Sequence, residues 1–88
     1  MTQEHDPLLE DYLSKAQHIA EVLSSLTVDL ADKGCLSYKQ ANKVHEHLMD
    51  VLQVLAKESW SNVPFVCGRI ANVMDTIASA WEECQKNA

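Results

Sequence analysis

Residues 7–34, PLLEDYLSKAQHIAEVLSSLTVDLADKG, decide the fold. Leu9, Tyr12, Ala16, Ile19, Leu23, Leu26 and Leu30 step by 3, 4, 3, 4, 3 and 4 residues, which gathers them on one face of an α-helix and excludes the alternation of a strand. Asp6 can cap the first backbone N–H groups, and Pro7 suits the first helical position, where its missing donor costs nothing. At the other end Lys33 complements the helix dipole and Gly34 fits the left-handed position beyond the last turn. Leu13 and Ala20 widen the seam. The reading is a first helix over about residues 7–33.

The same signals recur downstream. Ser37, Tyr38, Lys39 and Gln40 form a capping box, in which the serine hydroxyl and the glutamine amide each satisfy the other's backbone N–H. Ala41, Val44, Leu48, Val51 and Leu55 make the second seam. Tyr38, His45, Met49, Leu52 and Ala56 broaden it to an apolar arc of about 160°. An arc that wide predicts two neighbours. Lys39, Lys43, Glu46, Asp50 and Lys57 form the solvated face of this second helix, over about residues 38–58. A break at residues 59–64, SWSNVP, precedes a third seam of Val66, Ile70, Val73, Ile77, Ala80 and Cys84, with Cys67, Met74, Ala78 and Trp81 beside it. This is a helix over about 64–85, with Gly68 inside it as a tolerated flaw or a point of close backbone approach. Three long helices with short connections predict a single all-α domain over residues 1–88, an antiparallel up-down-up three-helix bundle. Leu8, Val22 and Val28 sit outside the seam of the first helix, so a homodimer that buries them is expected, giving a larger bundle.

Composition narrows the function. Thirteen acidic against seven basic residues, a net charge of −6, is the wrong balance for direct nucleic-acid binding or attraction to an anionic membrane. Two glycines and two prolines are too few for an all-β fold rich in tight turns. The first residues show neither a basic segment followed by an apolar run nor a stretch long enough to span a bilayer, so the expected address is cytoplasmic. Cys35, Cys67 and Cys84 are odd in number and contain no C-x-x-C, which predicts reduced, buried thiols. Cys35 and Cys84 nonetheless fall at the same end of an up-down-up bundle.

Candidate chemistry is sparse. Of His5, His18, His45 and His47, the last two point about 160° apart on a helix, and His45 has only Ala41 and Met49 at helical chelating distance. His45, at the edge of the apolar arc, reads as a half-buried residue, and His47 pairs weakly with Asp50. No E-x-x-H, no glycine-rich phosphate loop and no thiol with a base beside it is present, so no catalytic residue, cofactor or metal is expected.

The surface is uneven instead. Residues 1–32 hold seven acids against Lys15 alone, a net of −6. Glu10, Glu21 and Asp32 are eleven apart and so form one line along the first helix, with Asp11 and Asp29 on a second line beside it. Solvation explains such a face. So does docking to a basic protein groove, or to a site that normally receives nucleic acid, with carboxylates in place of phosphates. Trp60 and Phe65 flank the second break and supply either an end plug or an apolar anchor for a partner. Gly68, Asn72, Asp75 and Ser79 make a stripe of small residues that a partner helix could approach, or a plain solvent face. The expected function is a non-enzymatic acidic interaction module, an adaptor, inhibitor or chaperone-like protein of the compact kind that bacteria and phages encode. The alternative is a self-assembling structural component without a separate ligand.

Overall fold

The computed structural model describes residues 6–86 as α1 (Pro7–Asp32), α2 (Tyr38–Leu55) and α3 (Val63–Lys86), with a single 3-10 turn at Trp60–Asn62 and no strand among the described residues. The helix ends follow local chemistry. The Asp6 carboxylate accepts the N–H groups of Leu8 at 3.1 Å and Leu9 at 3.2 Å, and Pro7 opens α1. Beyond the last turn, Gly34 N–H donates to Ala31 and Cys35 N–H to Leu30, and Gly34 takes φ +79°. That is the paired closure that a left-handed glycine permits. The capping box of α2 is complete, with Gln40 N–H on Ser37 Oγ at 3.1 Å and Ser37 N–H on Gln40 Oε1 at 3.0 Å.

Helix α2 ends at Leu55, three residues short of the sequence expectation. A continuing helix would deliver the Glu58 N–H to the Val54 carbonyl. That oxygen is already taken by Lys57 N–H and by the Asn62 side-chain amide at 2.9 Å, and Glu58 turns to φ 51°. Gly68 meets no close neighbour, since a Cβ placed there would find nothing within 4 Å. It is a tolerated flaw and not a point of backbone approach.

The core is narrow and built from small side chains. Val44, Val51, Val66 and Val73 are its most completely buried members, joined by Ala16, Ala20, Ala80, Leu23, Leu30, Leu36, Leu48, Leu55 and Ile77. The seams of α2 and α3 are as expected. That of α1 is rotated. Ala16, Ala20, Leu23, Thr27 and Leu30 are buried, whereas Ile19 and Leu26 of the expected seam are 43% and 40% exposed. The rotation turns α1 toward α2, which it meets more extensively than α3. The alanines allow that approach. Thr27 tolerates burial because its hydroxyl donates to the Leu23 carbonyl at 2.7 Å.

The cysteines depart from the reading of three reduced, buried thiols. Cys35 and Cys84 form a disulfide with their Cα atoms 5.3 Å apart, and Cys67 is a free, exposed thiol. The turn that closes α1 holds Cys35 against the end of α3, and Cys67 lies on the outer flank of the α3 seam. His45 is exposed and not half-buried.

Candidate functional site

All five acidic residues singled out on α1, Glu10, Asp11, Glu21, Asp29 and Asp32, are exposed. Asp11 pairs with Lys15 at 3.0 Å, and Glu21 accepts a long 3.5 Å bond from Gln17. Both are solvent-exposed contacts of little energetic weight. From Glu10 to Asp32 the first line extends about 33 Å along the helix. The second line, Asp11 and Asp29, lies roughly 60–100° further round.

The first line borders a depression. Between α1 and α2, adjoining cavities of about 300, 310 and 430 Å³ share Ser24, Val28, His45, Leu48 and Leu52 among their walls, and so form one trough from Tyr38 and Asp32 down to Leu13 and Glu58. Its lining includes several exposed apolar side chains, with Tyr38 at 83%, Val28 at 56% and Met49 at 43%. The charged groups along it are Glu21, Asp32 and Glu58, with His45 as its one imidazole and no lysine or arginine. The groove between α2 and α3 differs: it is polar and mixed in charge, with Lys39, Lys43, His47 and Asp75. Asn72 and Asp75 of the small-residue stripe belong to that polar groove.

The opposite flank of α1 is largely apolar, with Lys15 and Asp29 on the same helical line as Val22. Ile19, Val22 and Leu26 lie there, turned away from the trough and toward the flank of α3 that bears Met74 and Trp81, all between 40 and 55% exposed. Leu8 shares that side of α1 and is 72% exposed. Val28 does not, because six residues separate it from Val22 and carry it about 120° round the helix to the trough. The three residues expected to form one dimer surface are thus divided between two.

Trp60 and Phe65 are also separated. Trp60 closes one end of the bundle: its indole N–H donates to Asp6 at 2.9 Å and its ring stacks on Tyr12 with centroids 5.5 Å apart. Burial pushes the Tyr12 phenol above its ordinary range, with repulsion from Cys67 adding to the effect. Phe65 faces the α2 side of α3, where the Arg69 guanidinium lies 5.0 Å above its ring, donates to His47 Nδ1 at 3.1 Å and stands 3.9 Å from Asp50. Neither aromatic borders the trough. Among the described residues no three His, Cys, Asp or Glu side chains converge as a metal site would require, and His5 lies outside the described residues.

Leu8, Val22 and Val28 are exposed as their place outside the seam implied, but the exposure of Ile19 and Leu26 escaped the sequence reading because two seams, Ile19-Leu23-Leu26-Leu30 and Ala16-Ala20-Leu23-Thr27-Leu30, both step by three and four. The run of small residues in the second was the available signal. No protein-family model, curated protein sequence or solved structure matches the chain.

Proposed function

We propose that this chain is a non-enzymatic protein-interaction module, an adaptor, inhibitor or chaperone-like protein that occupies a basic partner surface through α1. The observation that carries this reading is where the large side chains lie. The most completely buried residues are valines, while Tyr38, Met49, Met74, Trp60, Trp81 and Phe65 are all at least 40% exposed. Of these, Tyr38 and Met49 lie with Val28 in the acid-edged trough beside α1, which has the composition of a binding face, while the others are distributed over the rest of the surface. The helices run up, down and up in this reading. That arrangement is supported by Asp6 and Tyr12 meeting Trp60 at one end and by Cys35 joined to Cys84 at the other. The test is the salt dependence of binding to a captured partner between about 50 and 500 mM salt. Glu21→Lys with Asp32→Lys should slow association and flatten its salt dependence. A partner that binds the double reversal as fast and as tightly as the parent throughout refutes the acidic-face reading.

A second reading, self-assembly, is favoured by the stripe of Ile19, Val22, Leu26, Met74 and Trp81. Together these side chains expose several hundred Å², a substantial share of the roughly 800 Å² per partner of an ordinary interface. Light scattering near 100 µM should then give a dimer mass that Val22→Glu with Met74→Glu returns to monomer; a monomer before substitution ends this reading.

No helix among the described residues is long and apolar enough to cross a membrane. Of the possible addresses, the Cys35–Cys84 bond supports an oxidising compartment over the cytoplasm, where thiols are kept reduced.

A further inference from the structure

We propose that the trough between α1 and α2 is the seat of a cationic amphipathic helix contributed by the partner protein. The proposal rests on the acidic-face reading above and adds to it the occupant's shape. Three properties of the trough select that occupant.

The first is length. From Leu13 to Asp32 the α1 wall extends about 29 Å, which matches a helix of roughly 20 residues lying alongside it. A depression of that length, with apolar residues of α2 recurring along it from Leu48 to Leu55 between polar ones such as Ser24 and His45, suits side chains that project from one helix face at i, i+3, i+4 and i+7. The second is chemistry of the floor and walls. Val28, Leu48, Met49 and Leu52 present aliphatic and thioether surface, with Tyr38 at one end as an exposed aromatic wall. Methionine adapts to varied side chains and is favoured in grooves that receive helices. Backbone donors and acceptors on both walls are already spent within α1 and α2, so an extended strand would find no ladder to join, whereas a helix satisfies its own.

The third is charge. Glu21 and Asp32 stand one above the other on the α1 rim, three helical turns apart, and Glu58 marks the far end. No cation lines the trough, while the neighbouring groove between α2 and α3 contains Lys39 and Lys43. A helix with acidic edges would meet repulsion at Glu21, Asp32 and Glu58, and one with lysines or arginines spaced to face these three carboxylates would be attracted and held in register.

The test uses the oxidised full-length chain and a labelled peptide of about 20 residues, with leucines at i, i+3, i+4 and i+7 and lysines along one edge. Two comparison peptides are a scrambled sequence of identical composition and a flexible glycine-lysine peptide of equal charge. Anisotropy reads the affinity and circular dichroism reads helix formation on binding. The amphipathic peptide should bind one to one, gain helix, and bind about tenfold or more tightly than either comparison peptide. Glu21→Lys with Asp32→Lys, and separately Val28→Ser with Met49→Ser, should each weaken it by about tenfold. All four positions are exposed, so folding is retained, and Asp75→Lys with Glu82→Lys, two exposed acids outside the trough, matches the change in net charge and should leave binding within about twofold. If the scrambled or flexible peptide binds as tightly, the helical occupant is overturned, and the acidic-face reading stands where the double charge reversal still weakens both. Binding indifferent to Val28→Ser with Met49→Ser overturns the trough as the seat. Failure of every cationic peptide to bind overturns both readings.

Discussion

Replacing Cys35 and Cys84 with serine removes a covalent link between residues separated by 49 positions, enclosing all of α2, the 3-10 turn and most of α3. In the chain-entropy treatment, releasing a loop of this length costs about 4 kcal/mol at 25 °C through the greater freedom of the unfolded chain. A domain of this size has a total stability of roughly 4–13 kcal/mol, so the bond accounts for a large share. The native contacts around it set how much of that loss is felt. Cys35 packs against the core, beside buried Leu36, and Cys84 sits one turn beyond buried Ala80, near the end of α3. The last turn of α3 can therefore fray without disturbing Val66 or Val73, and local fraying recovers part of the cost. The expected loss is about 2–4 kcal/mol, or a fall in Tm of roughly 10–25 °C for a domain of this length. Urea melts followed by circular dichroism, on the oxidised chain, the reduced chain and the double serine variant, measure it. The reduced and serine forms should agree with each other and fall below the oxidised form. Iodoacetamide labelling followed by intact mass should give one label on Cys67 without reductant and three with it. A difference below about 0.5 kcal/mol between oxidised and serine forms would show that the unfolded chain is already confined by other means, and the entropic account would fail.

Two further perturbations probe the helices themselves. Gly68→Ala should raise stability by about 1 kcal/mol, since the added methyl meets nothing and alanine is the better helix former; a loss in the same urea melt would reveal a neighbour at that face. Tyr12→Phe should hold or raise stability by up to about 1 kcal/mol, because the Tyr12 hydroxyl is buried without a hydrogen-bond partner among the described residues. It should also flatten the alkaline limb. With the native phenol raised above its ordinary value of about 10, the folded state keeps a proton that the unfolded state releases, so the parent loses stability as pH climbs past 10. A Phe variant with the same alkaline fall in a melt series would assign that fall to another group.

How far each feature was legible depends on the range of the interaction that makes it. Asp6 with Pro7, Lys33 with Gly34, and Ser37 with Gln40 act within a few residues, and each helix end they mark lies within a residue of its expected place. The end of α2 was not legible, because it is made by Asn62 reaching back eight residues to the Val54 carbonyl across a turn. The rotation of α1 depends on where α2 lies, and the three-four periodicity of α1 alone does not choose between its two seams. Hydrophobicity favours the seam with Ile19 and Leu26, while close approach favours the one with Ala16 and Ala20, and approach prevails. The acidic line could be read from residue numbers because eleven-residue spacing is a property of one helix. The trough could not, since α1 and α2 each supply one wall.

The choice of seam also explains why so much apolar surface remains outside. A helix that buries alanines and a threonine against α2 spends little hydrophobic area on that contact, and its isoleucine, leucine and valine are carried to the flanks. Had Ile19 and Leu26 formed the contact, α1 would have stood further from α2 and closer to α3, closing the apolar flank and leaving its acids beside no trough. Small core residues, exposed large ones and an acid-edged depression are therefore consequences of one packing decision. The covalent clasp between Cys35 and Cys84 offsets the modest core that this decision leaves. In a chain of 88 residues, burying alanines and a threonine where isoleucine and leucine could have packed leaves little core to spare, which is why a link between the turn after α1 and the end of α3 carries so much weight.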